Sequence, residues 1–238
     1  YLSGSWWKDA GLRAVRPWLQ RWDRQSCNRV DNFAADSQHI AAKIRRFWRR
    51  TARPIHPPVD LEQFVPNNRA PEDFFLVVSA LVPYKKVDRA IEAARLAKVR
   101  LIVVGDGPER ERLERQAPAN VEFHGHVSDD DLADYYQRAR ALLFPGVEDF
   151  GITALEAQAC GRPVLGLGRG GVTETVCDGV TGRFFEEPTA KSLARLLRNH
   201  HDEDYEIHAI RRHAEQFSPA AFRRALMDWI NDAARVAW

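Results

Sequence analysis

From residue 74 onward, short apolar runs of strand composition alternate strictly with stretches whose apolar residues recur every three or four positions. The runs fall at 74–79, 100–104, 121–123, 141–144, 163–167 and 183–185, and the helical stretches at 87–97, 108–116, 129–138, 152–160 and 172–176. Strands joined through helices run parallel, and a sheet covered by helices on both faces buries its strands on both sides. That is why these runs are continuous rather than alternating. The pattern predicts an α/β fold, a parallel six-stranded sheet with helices on both faces. Residues 191–236 read as three further helices.

The leading segment has a different character. Residues 12–30 are helical in character and rich in Trp and Arg, and 31–36 form a short strand-like run. Residues 37–48 place Ile40, Ala41, Ile44, Phe47 and Trp48 at helical spacing. Pro54, Pro57, Pro58, Pro66 and Pro71 then cluster. Proline fits neither a helix interior nor a central strand, so 53–73 is expected to be a linker or hinge. The expected units are a mostly helical N-terminal remnant with its hinge (1–66), the sheet domain (67–216), and a C-terminal helix (217–238) placed to pack back on the N-terminal segment.

A formal net charge of +2 over 238 residues is too near neutral to draw nucleic acid by field alone. The charge is uneven, since residues 1–66 hold 12 Lys/Arg against 6 Asp/Glu. Two readings stand for that basic end. It is a solvated face, or, with Trp6, Trp7, Trp18 and Trp22 beside the arginines, a peripheral contact with the inner membrane. The same tryptophans also suit core or interdomain packing. No apolar run approaches the ~20 residues of a membrane span, and nothing resembles a signal peptide. Cys27, Cys160 and Cys177 are too few and too widely spaced for a disulfide framework or metal cluster, so a cytoplasmic, reducing location is expected. The chain opens on Tyr1 and its single methionine is Met227, which leads us to expect a fragment or processed product.

Ligands of an open parallel sheet bind at the carboxyl ends of its strands. The strand-following loops are therefore the informative residues. They hold Tyr84, Lys85 and Lys86 after the first run, Gly105, Asp106 and Gly107 after the second, and Gly125, His126 and Val127 after the third. The fourth carries Glu148, Asp149, Phe150 and Gly151, and the fifth Gly168, Arg169, Gly170 and Gly171. Glycine in four of the five lets backbone approach a ligand closely. His124 and His126 flank Gly125; structural roles and contact with a nucleotide base both remain open for them.

The fourth loop is the sharpest signal. A helix begins near Gly151, and its free N–H groups and dipole suit a phosphate or diphosphate. Glu156 lies about 7.5 Å further along that helix, roughly the reach from a diphosphate to the hydroxyls of its ribose. Glu148, ahead of the helix, stands on the other side. Carboxylates accept hydroxyl hydrogen bonds well, so both positions suit polyols, and Lys85 is placed to neutralise diphosphate oxygens from the neighbouring loop.

The stretch from Glu148 through Phe150, Gly151 and Glu156 to Gly161 and Pro163 resembles the E-x7-E signature of retaining, nucleotide-sugar-dependent glycosyltransferases of the family-4 (group 1) type. Residues 82–88, 103–109 and 168–176 resemble that family's other blocks in the same order, and the likeness covers 74–189 strongly. Residues 37–64 resemble the last helix and strand of the family's first domain. The resemblance implies the C-terminal, Rossmann-like half of a GT-B fold, closest to bacterial mannosyltransferases of polysaccharide and lipopolysaccharide assembly.

It also implies roles. Lys85 would stabilise the diphosphate leaving charge and Glu148 would hold the sugar hydroxyls, the two catalytic assignments. Glu156 would hold the ribose, and the backbone around Phe150, Gly151 and Ile152 the diphosphate. Lys86, Gly105, Gly107 and Val127 complete the implied donor-binding set. The donor would be a nucleotide sugar, GDP-mannose first and a UDP-hexose second, and the acceptor a glycan or lipid-linked sugar. No metal or other cofactor is implied. The sequence departs from the family at Ala80, where a basic residue is often found, so phosphate contact falls to Lys85 with Lys86. Most of the first domain is also missing, so this chain is expected to bind donor without necessarily transferring it. A non-catalytic nucleotide-binding module is the alternative reading. A dinucleotide-dependent oxidoreductase is a weaker rival, because no G-x-G-x-x-G follows the first strand.

Overall fold

A computed structural model describes residues 6–67 and 69–236. The chain opens with helix α1 (Trp6–Ser26), followed by β1 (Phe33–Ala35), α2 (Gln38–Trp48) and β2 (Ala52–Pro54). Ser37 starts α2 by accepting the N–H of Ile40 on its side-chain oxygen at 3.1 Å, which satisfies one of the helix's orphan donors. β2 pairs parallel with β1, Ala35 opposite Pro54. Part of the expected linker is thus a strand. Pro54 is tolerated because it stands at the last position of an edge strand, where its missing N–H breaks no ladder. Trp18 and Trp22 of α1 are exposed, whereas the side chains of Trp6 and Trp7 lie outside the described part.

The sheet domain follows the expected alternation: β3 (Phe75–Val78), α3 (Val87–Ala97), β4 (Leu101–Val104), α4 (Arg110–Gln116), β5 (Val121–Gly125) and α5 (Asp129–Arg138). It continues with β6 (Leu142–Phe144), α6 (Ile152–Ala159), β7 (Val164–Leu167), the single turn α7 (Val172–Thr175) and β8 (Gly182–Phe185). Helices α8 (Ala190–Arg198), α9 (Ile207–Glu215) and α10 (Pro219–Val236) close the chain. All pairings in the six-stranded sheet are parallel, in the order β5-β4-β3-β6-β7-β8.

The core lies in two layers, one on each face of this sheet. Successive strand residues point to opposite faces. Phe75, Val77, Leu101, Val103 and Leu165 therefore pack under α3 and α8, and Leu76, Ile102, Leu142 and Val164 under α5, α6 and α9. These side chains are at most 1% exposed, and burying each one contributes about 1.5–3 kcal/mol. From β3 the chain builds outward to β4 and β5, then returns to add β6 on the other side. Such a reversal leaves a crevice between the loops that leave β3 and β6. Among the described residues, no helix is long and apolar enough to cross a membrane.

Candidate active site

Two adjoining cavities occupy the carboxyl edge of the sheet, of about 430 and about 570 Å³. Lys85 and Thr153 line both, so the two form one continuous cleft across the reversal point. The smaller is walled by Ser79, Gly105, Asp106, His126, Val127 and Asp129, that is, by the ends of β3, β4 and β5. The larger is walled by Glu148 to Thr153 on one side and by Asp36, Lys43 and Pro57 of the N-terminal segment on the other.

Lys85 ends a tight turn opened by Pro83, and its N–H donates to Val82 O at 3.1 Å. The β6 loop reaches it because Gly146 has no side chain; a Cβ there would sit 2.8 Å from Lys85 O. The two loops thus touch backbone to backbone, and Lys85 Nζ lies 2.5 Å from Glu148 Oε2. Both side chains are only 18% exposed, so this pair is far less screened than a surface ion pair.

Glycine at 151 is required twice over. Its φ of 95° lies in the left-handed region, and a Cβ would fall 2.8 Å from the Phe144 ring. No side chain caps α6, and the residues that open it, Gly151, Ile152 and Thr153, line the larger cavity. Phe150 is buried and stacks on the His56 ring, centroids 5.3 Å apart.

Glu156 shares a helix face with Thr153, one turn back. The fully buried Tyr136 hydroxyl donates to Glu156 Oε2 at 2.7 Å. Burial pushes the Glu156 carboxyl above its usual range; the Tyr136 hydrogen bond opposes this and the nearby Asp129 charge adds to it. A carboxyl raised in this way favours the protonated folded state. The stability linked to it is full below its ordinary value of 4.5 and is lost as pH rises through the raised native value. Glu156→Gln keeps an acceptor for Tyr136 and stays neutral. The variant is therefore expected to melt above the parent at pH 7, with the difference vanishing near pH 4, as read by thermal unfolding across that range. A difference that does not change with pH would contradict this account.

Lys85, Glu148, Gly105, Val127, Phe150, Gly151 and Ile152 all line the cleft. Glu156 lies behind Thr153, against Tyr136, and is not among the lining residues. Lys86 does not join them. Its left-handed backbone, φ 56°, begins α3, and the residue lines a neighbouring cavity with Arg89 and Arg169, on the far side of Tyr84 and Val147 from the larger one. Gly107 is also outside the cleft: a Cβ there would lie 2.5 Å from Leu81 O, so this glycine lets the β4 loop pack on the β3 loop. Sequence reasoning passed over Asp36, Lys43, Thr153 and Tyr136. Only Thr153, three residues before Glu156, carried a local signal. Among the described residues, no group of three His, Cys, Asp or Glu stands close enough together to hold a metal ion.

The strand order and the cleft at its reversal point define a doubly wound α/β protein whose β3 and β6 loops border that cleft. Residues 59–232 match the family Glycosyl transferases group 1, and the chain belongs to that family. A D-inositol 3-phosphate glycosyltransferase of Mycobacterium leprae is 34% identical over 92% of this chain and 60% of its own length. One from Mycolicibacterium paratuberculosis is 35% identical over 60% of this chain and 38% of its own length. The chain thus spans between about four and six tenths of these curated relatives. Among solved structures, Anabaena Alr3699/HepE in complex with UDP superposes with a TM-score of 0.78 at 20% identity, covering 90% of this chain and 67% of that one. Its complex with UDP-glucose gives 0.77, with the same identity and coverage. This likeness extends the fold to the GT-B glycosyltransferases.

Proposed function

We propose that this chain supplies the donor half of a glycosyltransferase that moves a hexose from a nucleotide sugar to a hydroxyl of a glycan, lipid-linked or phosphorylated polyol acceptor, with retention of configuration. The observation that carries the reading is the meeting of Lys85 and Glu148 on the shared wall of the two cavities, beside uncapped amides of α6. The nucleoside would occupy the smaller cavity, its base near Val127 and His126 and its ribose toward Glu156. The diphosphate would lie over the α6 amides and Lys85. Charge developing on the leaving diphosphate is then met by an ammonium and fixed backbone dipoles in a site partly shielded from water. Glu148 would exchange its ion pair for hydrogen bonds from the sugar hydroxyls, with Asp36 and Lys43 facing the acceptor side.

A uridine nucleotide is the donor reading with outside support, since similar structures hold UDP and UDP-glucose; GDP-mannose rests on the sequence resemblance alone. The names of the relatives point to a phosphorylated cyclitol as one acceptor. We place the working protein in the cytoplasm, where nucleotide sugars are made. Calorimetry with UDP, GDP and NAD tests the class of ligand. Binding of one nucleoside diphosphate supports the reading, and binding of NAD with no response to either diphosphate overturns it.

Glu148→Ala is expected to leave the free nucleoside diphosphate bound as before and to weaken the sugar-bearing donor by about 1–3 kcal/mol, through lost hydroxyl hydrogen bonds. Equal effects on both ligands would remove Glu148 from the sugar.

A further inference from the structure

The turn after β7 holds the acid loop on one side and the N-terminal segment on the other. Gly170 and Gly171 lie flat against that loop: Cβ atoms on them would fall 2.7 Å from Glu148 O and 2.3 Å from Asp149 O. The Gly171 N–H also donates to Glu148 O at 2.9 Å. Three residues on, α7 carries Glu174, whose side chain is only 14% exposed. Its carboxylate accepts the backbone N–H of Gln38 at 2.7 Å and of His39 at 3.0 Å, the first two residues of α2. His56 Nε2 stands 3.0 Å from Glu174 Oε2.

The first turn of α2 has no acidic side chain of its own, so Glu174 supplies the negative charge that this positive helix end favours. The same end of α2 reaches the acid loop directly. Ser37 Oγ donates to Asp149 O at 2.6 Å, Lys43 Nζ pairs with Asp149 Oδ1 at 2.8 Å, and His56 stacks on Phe150. The Lys43–Asp149 pair is 45% and 60% exposed and so contributes little. The charge-assisted bonds to the shielded Glu174 are the strong ones.

We propose that Glu174 is a positioning residue that clasps the N-terminus of α2 and His56 to the sheet domain and thereby fixes residues 148–151, so that Glu148 meets the donor sugar. Glu174 lines neither cavity and acts through its neighbours. The inference rests on the reading of Glu148 as a sugar ligand, and its test separates the two. Glu174→Gln, which keeps the volume and one acceptor oxygen, is compared with the parent by amide hydrogen exchange and by calorimetry with UDP and UDP-glucose. Exchange is expected to accelerate about tenfold both at Gln38 and His39 and at 148–151, with UDP-glucose about tenfold weaker and UDP within about twofold. A residue that only caps α2 would speed exchange at Gln38 and His39 and leave the acid loop and both affinities alone, which would overturn the proposal. His56→Ala leaves Glu174 on the α2 amides but removes its contact with His56 and the ring contacts of His56 with Phe150 and Phe217. It is expected to speed exchange at 148–151 while sparing Gln38 and His39, and it serves if Glu174→Gln does not fold. If the parent binds neither ligand, the donor reading fails, while exchange at 148–151 still decides whether Glu174 holds the loop.

Discussion

Lys85→Ala is expected to weaken nucleoside diphosphate and nucleotide sugar together, by about 2–3 kcal/mol, or roughly 30- to 150-fold in Kd by calorimetry. Two effects add. The variant loses the ammonium that neutralises the diphosphate, a charge-assisted contact in a site where solvent screens poorly. It also leaves Glu148, 18% exposed and 2.5 Å from the lost Nζ, as an uncompensated carboxylate facing an incoming dianion. Lys85→Arg keeps the charge but presents a bulkier planar fork in place of a compact ammonium, so it is expected to recover only part of the affinity. The joint loss distinguishes Lys85 from Glu148, whose removal affects the sugar-bearing ligand alone. An affinity for the diphosphate within twofold of the parent would place the phosphates elsewhere.

Gly171→Ala is expected to cost stability on a comparable scale without touching a ligand. Its backbone, φ −62° and ψ −24°, would accept alanine freely, so no conformational strain enters. The penalty comes from space: the new Cβ would stand 2.3 Å from both Asp149 O and Phe150 Cα. Those are backbone atoms of the acid loop, itself held by Ser37 and Glu148 contacts, and they cannot swing aside as a side-chain tip does. Overpacking of this kind costs about 3 kcal/mol, which in a domain of this size lowers Tm by about 6–12 °C. Differential scanning calorimetry reads the shift. An unchanged Tm would mean the loop yields readily, and with it the rigid platform assumed for Glu148.

The two predictions draw on information of different legibility. The sheet was readable because its strands are buried on both faces and its helices on one, so period and composition separate them cleanly. β2 was hidden because Pro54 argues against a strand unless the edge position is known. Lys85 and Glu148 were readable through one topological rule, that loops leaving parallel strands share an edge. The contacts that orient them were not. Tyr136 meets Glu156 across 20 residues, His56 meets Glu174 across 118, and Gln38 meets Glu174 across 136. No local spacing encodes such pairs; they follow from the packing of α5 on α6 and of the N-terminal segment on the sheet domain. Lys86 shows the opposite limit. Adjacent in sequence to Lys85, it takes a left-handed conformation and lines the neighbouring cavity instead of the cleft.

The central claim is geometric, and a crystal structure of this chain with UDP bound tests it most directly. The account predicts the diphosphate within hydrogen-bond distance of Lys85 Nζ and the N–H groups opening α6, with the ribose toward Glu156. A diphosphate seated away from the β3 and β6 loops, with Lys85 still paired to Glu148, would contradict it.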